Sequence, residues 1–260
     1  MTRKNLELNI ITLLNGEPQF EKQVSTINEQ TKLPKLHKVI ENLSNIKAHR
    51  KTYEFVENGS PEDLFLKLDA DMTLAESFVL EKIINYFTTI PTLDHLIIPV
   101  NDFLSNKTLI GAHCYSSRAR WPQALDPIFV DPDPTIPGIR QTLVEIIPLI
   151  EHMSEPSIEQ CIFYGYHRGL KIKQAGRKTR HNGRRNFHMK YKNAIEEEYL
   201  KNPCLLRLSA LLGYQIAFAN SRNSVHQKNL QKSSWKLIAR KILDAPDYYD
   251  EIIRKTIKVD

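Results

Sequence analysis

The sequence contains an Asp-x-Asp pair that directly follows a short apolar stretch. Residues 64–68 are apolar at four of five positions and lead straight into Asp69 and Asp71. A short apolar run of this kind is typical of a buried strand, and open α/β sheets bind ligands beyond the carboxyl ends of their strands. Because side chains alternate along extended backbone, both carboxylates are predicted to point to the same side. Such a pair can hold Mg²⁺ or Mn²⁺ and leave coordination positions for the phosphates of a substrate.

A second copy of the pattern, Asp131 and Asp133, lies among four prolines, where the chemistry of turns explains it. For Asp69 and Asp71 the alternative hypothesis is a solvated strand end without a ligand. The Asp-x-Asp pattern alone does not distinguish a metal site from a solvated strand end. The sequence of the neighbouring segments is therefore needed to choose between these hypotheses.

Those segments alternate between strand and helix patterns. Strands are predicted over residues 6–14 and 36–40, and apolar residues at helical spacing follow them over residues 20–30 and 46–56. Strand, helix, strand, helix, strand is the order of a parallel, nucleotide-binding half-domain. The predicted fold class is therefore α/β, with a mixed, mostly parallel sheet flanked by helices.

The middle of the chain is predicted to add more strands and helices with irregular connections. The spacing predicts a helix over residues 74–87, a strand over 95–100 and a strand pairing with it over 105–115. Prolines between positions 123 and 138 predict a loop, and residues 141–150 are predicted as a helix or a short strand. Capping residues at 154–157 predict a helix to about residue 167, which Gly169 ends before a short strand over residues 170–173.

The charge distribution indicates an anionic partner. The chain has a formal net charge of +6 and a pI of about 9.1, and residues 160–195 contain no acidic side chain. A basic run is usually a solvated surface, but beside Asp69 and Asp71 it would bind phosphate groups. Arg177 and Arg180 are the candidates for that role.

Composition also limits the location of the protein. The apolar runs are too short to span a bilayer, and three cysteines without metal-binding spacing are typical of a reducing cytosol. The predicted localisation is cytoplasmic, with peripheral contact at the inner face of the membrane as an additional expectation. For residues 235–243 two interpretations stay open: a helix lying on an anionic membrane surface, and a helix docked on the body with its basic face in water, which is favoured.

The order of these features resembles the GT-A glycosyltransferases, specifically the large family 2 that includes many bacterial surface-polysaccharide enzymes. The first strand with Asn15 to Pro18 and the helix after it are similar to the first βα unit of that family. Residues 68–71 match its metal-binding Asp-x-Asp signature, and residues 118–121 resemble the segment on its acceptor side. Residues 154–155, followed by residues 169–172, resemble its acidic motif, helix and short strand. The resemblance covers residues 6–190.

This resemblance implies an inverting enzyme that moves a sugar from a nucleotide-sugar, with UDP as the expected nucleotide, to a glycan or lipid-linked acceptor in polysaccharide biosynthesis. It implies that Asp69, Asp71 and His181 hold Mn²⁺ or Mg²⁺. Glu155 is the implied catalytic base, with Glu159 as a rival, and such a base must lie within hydrogen-bond reach of the acceptor hydroxyl. The implied donor-binding residues are Asn15, Glu17, Glu41, Lys51, Arg177 and Arg180.

The predicted organisation is a GT-A catalytic domain over residues 1–193, whose nucleotide-binding half is about residues 1–100 and whose acceptor half is about 101–193. Residues 194–260 are predicted as a C-terminal helical segment. A nucleotidyltransferase is a rival hypothesis, but such enzymes normally have a glycine-rich basic loop after the first strand, and Asn15, Gly16 and Glu17 do not form one. A basic nucleic-acid-binding protein is a second rival. It leaves the two carboxylates unexplained, so no nucleic-acid partner is expected.

Overall fold

The computed structural model describes residues 3, 5–122, 133–143, 148–175, 182–219 and 232–257. Within these residues eight strands form one sheet. The strands are β1 (Glu7–Leu14), β2 (Leu36–Glu41), β3 (Asp63–Lys67), β4 (Met72–Leu74), β5 (Leu93–Asp102), β6 (Lys107–Ser116), β7 (Ile139–Thr142) and β8 (Ile150–His152). Their order is β2-β1-β3-β6-β5-β8-β4, and β7 pairs with β5.

The described residues also form eight helices, three interleaved with the first strands and five after the last strand. They are α1 (Phe20–Asn28), α2 (Asn45–Glu57), α3 (Val79–Thr89), α4 (Ile158–Ala175), α5 (Asn182–Lys201), α6 (Leu205–Ala219), α7 (Lys232–Asp244) and α8 (Pro246–Ile257). No helix among the described residues is both long and apolar enough to cross a membrane.

The chain forms two compact units. The first comprises Met1–Phe103 and Thr108–Ser154, and the second comprises Leu104–Lys107 and Glu155–Asp260. The first unit contains most of the sheet with α1, α2 and α3, and the second contains α4 to α8. The functional boundary expected near residue 193 stays a prediction, because a compact unit and a functional domain need not end at the same residue.

The core of the first unit follows from the alternation of apolar side chains along β1. Ile11 and Phe65 of the neighbouring strand β3 contact Val56 of α2 in one buried cluster. Thr12 points to the opposite face, where it contacts Gln23 of α1. Since successive side chains of a strand point to opposite faces, both faces of β1 are covered by helices, as the continuous apolar sequence of this strand predicts.

The sheet is mixed. Strand β1 pairs in parallel with both β2 and β3, while β3 pairs with β6 in antiparallel fashion. Farther along, β8 is parallel to β5 and antiparallel to β4. The mixed α/β class is therefore confirmed, as is the pairing of the strands predicted at residues 95–100 and 105–115.

The helix predicted over residues 74–87 begins later than expected. Residues 72–74 form the short strand β4, whose Met72 pairs with His152 of β8, and α3 begins only at Val79. The periodicity was not able to show this, because the three residues of β4 are apolar or β-branched and fit either pattern. The pairing partner lies about eighty positions away in the chain.

The strand predicted over residues 170–173 is wrong, because α4 continues through Gly169 to Ala175. A Cβ atom at Gly165 would lie 1.8 Å from the carbonyl oxygen of Ala210 in α6, and one at Gly169 would lie 2.6 Å from the Cβ of Ala217. These glycines, four residues apart on one helix face, allow α4 and α6 to pack at close range. Gly169 therefore serves helix packing instead of ending the helix.

Two residues expected on the acceptor side have contacts within the first unit. Arg118 donates from Nε to Oδ1 of the fully buried Asp94 at 2.8 Å. The Trp121 ring stacks on Tyr53 of α2, with ring centroids 4.7 Å apart and an interplanar angle of 5°. These contacts fix the end of β6 against α2 and the start of β5.

Candidate functional site

The carboxyl ends of β2, β1 and β3 lie at one edge of the sheet, because the three strands are adjacent and parallel. Glu41 ends β2 and pairs in register with Leu14, which ends β1. Asn15 follows directly, and β3 ends at Lys67, two residues before Asp69. The topology therefore places the acidic pair just after the carboxyl end of β3, at the edge of the sheet where open α/β proteins typically bind ligands.

The local backbone of the acidic pair differs from the prediction. Strand β3 ends at Lys67, and residues 69–72 form a turn in which the Met72 N–H donates to the Asp69 carbonyl at 2.9 Å. The two carboxylates are therefore not placed by strand alternation. Oδ1 of Asp69 lies 3.2 Å from Nζ of Lys67, and Asp71 has its own partner, His152.

The side chain of Gln23 in α1 stabilises this turn through hydrogen bonds to its backbone. Its Nε2 donates to the carbonyl of Asp69 at 2.6 Å and to the carbonyl of Met72 at 2.8 Å. Its Oε1 accepts from the Thr12 hydroxyl at 2.8 Å, and Gln23 is completely buried. One amide thus donates to two carbonyls of the turn and ties the turn to α1 and β1. The bond to the Met72 carbonyl is buried, and a buried carbonyl left without a donor costs about 1–3 kcal/mol.

His37 of β2 completes the same hydrogen-bond network. The Thr12 hydroxyl donates its proton to Gln23, so Nε2 of His37, 3.0 Å from the Thr12 oxygen, must be the donor to that oxygen. Burial lowers the pKa of His37 below its ordinary value, which agrees with a neutral ring. The turn is therefore anchored to α1, β1 and β2 through buried polar groups.

Glu17 is a third carboxylate at this edge. Its Oε2 accepts from the backbone N–H of Asn15 at 2.6 Å. Burial raises the pKa of Glu17, the Asn15 hydrogen bond opposes that effect, and the negative charges of Asp71 and Asp69 raise it further. Glu17 follows the carboxyl end of β1 and the two aspartates follow that of β3, so we call Glu17, Asp69 and Asp71 the acidic cluster of the sheet edge.

His152 connects this cluster to the interior. Nε2 of His152 lies 3.5 Å from Oδ2 of Asp71, and Nδ1 lies 2.6 Å from Oδ1 of Asp102. Burial alone would lower the pKa of His152, but the two carboxylates outweigh it and raise the pKa to about 10. At neutral pH the ring is therefore an imidazolium between two carboxylates.

The carboxylate oxygens of Asp69 and Asp71 could supply some, but not all, of the ligands of a hard divalent cation. Carboxylate oxygens are the ligands that Mg²⁺ and Mn²⁺ prefer, and Asp69 and Asp71 supply such oxygens in one short turn. No group of three or more His, Cys, Asp or Glu side chains in the described part of the chain is arranged to hold a metal ion by itself. Asp69 and Asp71 would therefore need further oxygen atoms, such as those of a diphosphate.

The two candidate bases occupy different surroundings in the second unit. Glu155 is exposed and precedes α4, whose first turn begins near Ser157, the acceptor of a hydrogen bond from the Gln160 N–H at 3.1 Å. Glu159 is half-buried in that first turn. It lines a cavity of about 390 Å³ together with Ile158, Lys236, Ala239, Arg240 and Leu243.

Several predicted site residues are not brought into the acidic cluster by the described contacts. Lys51 is exposed in the middle of α2, and Glu41 is exposed at the end of β2. Arg177, Arg180 and His181 lie outside the described residues, so their roles stay predictions.

Sequence reasoning missed three residues of this site: Gln23, His152 and Asp102. The chain has nine histidines, and nothing in the spacing of His152 distinguishes it from the others. Its position became significant only because β8 lies between β5 and β4. Gln23 had a detectable signal, because it is a polar residue between Phe20 and Ile27 on the buried side of an amphipathic helix.

Comparisons with known proteins found likeness to solved structures and none in sequence. No protein-family model matches the chain, and no curated protein matches it in sequence. Among solved structures the chain is similar to the mannosyltransferase PcManGT from Pyrobaculum calidifontis in complex with GDP-mannose and Mn²⁺, with 12% sequence identity and a TM-score of 0.39. The match covers 95% of this chain and 83% of that chain.

Proposed function

We propose that this protein is a metal-dependent glycosyltransferase of the GT-A type, which moves a sugar from a nucleotide-sugar donor to a glycan or lipid-linked acceptor. The observation that carries the proposal is the position of Glu17, Asp69 and Asp71, the acidic cluster, just after the carboxyl ends of β1 and β3 in a set of three parallel strands. This is where open α/β sheets bind nucleotides. Bare carboxylates would repel a diphosphate, so a diphosphate bound at this edge would need a cation between it and the carboxylates.

Each residue of the cluster has a separate role in the proposal. Asp69 and Asp71 hold the divalent ion, which neutralises the charge developing on the departing diphosphate. Glu17 adds negative charge beside the site, and its hydrogen bond from Asn15 orders the loop after β1. Glu41, at the end of the neighbouring strand, is the proposed contact for the nucleoside.

The basic residues and the base complete the proposed chemistry. Arg177 and Arg180 add charge-assisted hydrogen bonds to the phosphates, and Lys51 is a further donor-binding candidate. Glu155 takes the proton from the acceptor hydroxyl, which is the step that inversion at the anomeric carbon requires. Glu159 is the rival for this role. UDP is the expected nucleotide and Mn²⁺ or Mg²⁺ the expected ion.

The proposal is tested by measuring hydrolysis and transfer over a panel of UDP- and GDP-sugars with Mn²⁺. We expect Asp69→Asn and Asp71→Asn to abolish turnover and metal-dependent nucleotide binding while the far-ultraviolet circular dichroism stays unchanged. Glu155→Gln should keep nucleotide binding and lower turnover by about 10²-fold or more. If Glu159→Gln behaves in that way instead, the two glutamates exchange roles.

The second Asp-x-Asp copy supplies a matched control. The Asp133 side chain is 80% exposed and lies 3.5 Å from Arg140, so Asp133→Asn should leave turnover and nucleotide binding unchanged. Wild-type turnover in Asp71→Asn, or the absence of Mn²⁺-dependent nucleotide binding by the wild-type protein, contradicts the proposal.

A further inference from the structure

Three side chains from three parts of the first unit form a chain of contacts from the interior to the sheet edge. Asp102 is the last residue of β5, His152 is the last residue of β8, and Asp71 directly precedes β4. Asp102 is 0% exposed, His152 is 6% exposed, and the side chain of Asp71 is 20% exposed. The contacts therefore begin at a fully buried carboxylate and end at one that solvent and ligands can reach.

Strand pairing creates this arrangement. In the ladders of β8, His152 pairs with Asp102 of β5 and with Met72 of β4. Immediately after β8, Met153 has a φ of 54°, a left-handed conformation that is costly for a non-glycine residue. This backbone turn coincides with a hydrogen bond from the Met153 N–H to the Asp71 carbonyl at 2.8 Å. Residues 152 and 153 thus contact both parts of Asp71: Met153 binds its backbone carbonyl and His152 contacts its carboxylate.

The orientation of the imidazole follows from its two contacts. Nδ1 faces Oδ1 of Asp102 at 2.6 Å, a short hydrogen bond that determines how the ring is turned. Nε2 consequently faces Oδ2 of Asp71 at 3.5 Å, longer than an ordinary hydrogen bond. Because one carboxylate oxygen faces the ring, Oδ1 of Asp71 remains available for a cation.

We propose that Asp102 and His152 are positioning residues, which orient the Asp71 carboxylate for the divalent cation of the proposed function. The inference rests on that function. Residues that orient metal ligands in this way typically contribute 10- to 100-fold to metal affinity. A purely structural role is a poor explanation, because burying a polar pair is costly unless it is fully hydrogen-bonded, and an apolar pair of similar volume would avoid that cost.

The test measures Mn²⁺ binding by electron paramagnetic resonance of the free ion, with Mn²⁺ alone and with UDP or GDP added. We expect His152→Ala to weaken Mn²⁺ binding by about 10- to 100-fold. His152→Gln should recover part of this loss, because its amide can donate to Asp71 from nearly the position of Nε2. Nucleotide binding in the presence of EDTA should be the same in all variants.

Two further variants separate positioning from a general loss of stability. Asp102→Asn conserves the size and one acceptor of the buried side chain but removes its charge, so it should fold even if His152→Ala does not, and should weaken Mn²⁺ binding in the same direction. His95→Gln replaces another histidine of the sheet, which is 2% exposed and lies seven residues before Asp102 in β5. It should leave Mn²⁺ affinity unchanged even where it lowers the melting temperature.

The outcomes distinguish this inference from the proposed function. If Asp71→Asn loses Mn²⁺ binding but His152→Ala and Asp102→Asn retain it fully, the positioning role is wrong and the function stands. If the wild-type protein binds no Mn²⁺ with either nucleotide, both are overturned. If histidine labelled with ¹⁵N produces a nitrogen coupling in the electron spin echo of bound Mn²⁺ that His152→Gln removes, His152 is itself a ligand and the positioning role is wrong.

Discussion

At the scale of single residues, two buried histidines of the same sheet show how partners decide protonation. The pKa of His152 is raised to about 10 because carboxylates on both sides outweigh the effect of burial. The pKa of His95 is lowered to about 3, first by burial and then by His113 and Arg140. Arg140 donates from Nε to Nδ1 of His95 at 2.8 Å, so the Nε2 proton of His95 points to His113 at 2.9 Å.

The neutral His95 ring predicts a pH-dependent stability. The unfolded chain binds a proton at this ring below about pH 6.5, whereas the folded protein does not bind it until about pH 3. The free energy of unfolding should therefore fall as the pH decreases from about 6.5 towards 3, by at most about 1.4 kcal/mol per pH unit from this group.

The contribution can be isolated by urea unfolding of the wild-type protein and His95→Gln between pH 4 and pH 7. The variant lacks this titration, so its stability should depend less steeply on pH, while the contributions of the carboxylates cancel in the comparison. Equal slopes for the two proteins would show that His95 is protonated in the folded state or accessible to solvent.

At the scale of elements, α1 acts as the support of the candidate site. It contributes Gln23, which holds the turn between β3 and β4 by two hydrogen bonds to carbonyl groups. The helix itself is short, nine residues, with Gln23 and Ile27 as its buried residues. A second contact comes from Thr26 of α1, whose hydroxyl accepts from the Leu74 N–H of β4 at 3.2 Å.

Replacement of Gln23 should show the contribution of its side chain to this support. Gln23→Ala removes one hydrogen-bond partner each from the carbonyls of Asp69 and Met72 and from the Thr12 hydroxyl. The Asp69 carbonyl keeps the Met72 N–H and the Thr12 oxygen keeps His37, so we expect a loss of about 1–3 kcal/mol in the free energy of unfolding. It should also weaken Mn²⁺ binding, since the turn carries both aspartates. Lys22→Ala, at an exposed neighbouring position of α1, should change stability by no more than about 0.5 kcal/mol. A loss of similar size in both variants would argue against the supporting role of the Gln23 side chain.

At the scale of the whole molecule, the net charge of +6 is compatible with either a nucleotide-sugar or a nucleic acid. The two ligands differ in their requirement for a cation. A nucleic acid binds to Lys and Arg side chains directly, and its affinity falls steeply with salt. A nucleoside diphosphate at the acidic cluster needs the metal ion to overcome the repulsion of the carboxylates.

Thermal shift measurements separate these ligands. UDP or GDP with Mn²⁺ should raise the melting temperature, and EDTA should abolish the shift. A single-stranded oligonucleotide at equal phosphate concentration should cause a smaller shift that EDTA does not change and that 200 mM salt removes. A larger shift with the oligonucleotide than with either nucleotide would favour the nucleic-acid hypothesis.

Elements whose signals are local could be predicted from the sequence. The apolar run of residues 6–14, the helix spacing of residues 20–30 and the run before Asp69 are decided by side-chain periodicity, and β1, α1 and β3 appear where they were predicted. The location of Asp69 and Asp71 at a sheet edge follows from the same local order of strands and helices.

Contacts between residues that are far apart in the chain could be identified from the tertiary structure alone. His152 and Asp102 are fifty residues apart, and Gln23 reaches Asp69 across forty-six positions. The sequence around Gly169 predicts a helix end, whereas in the structure this glycine lies inside α4 and packs against α6. Periodicity describes one segment at a time, whereas these contacts depend on strand order and helix packing, which arise from burial over the whole unit.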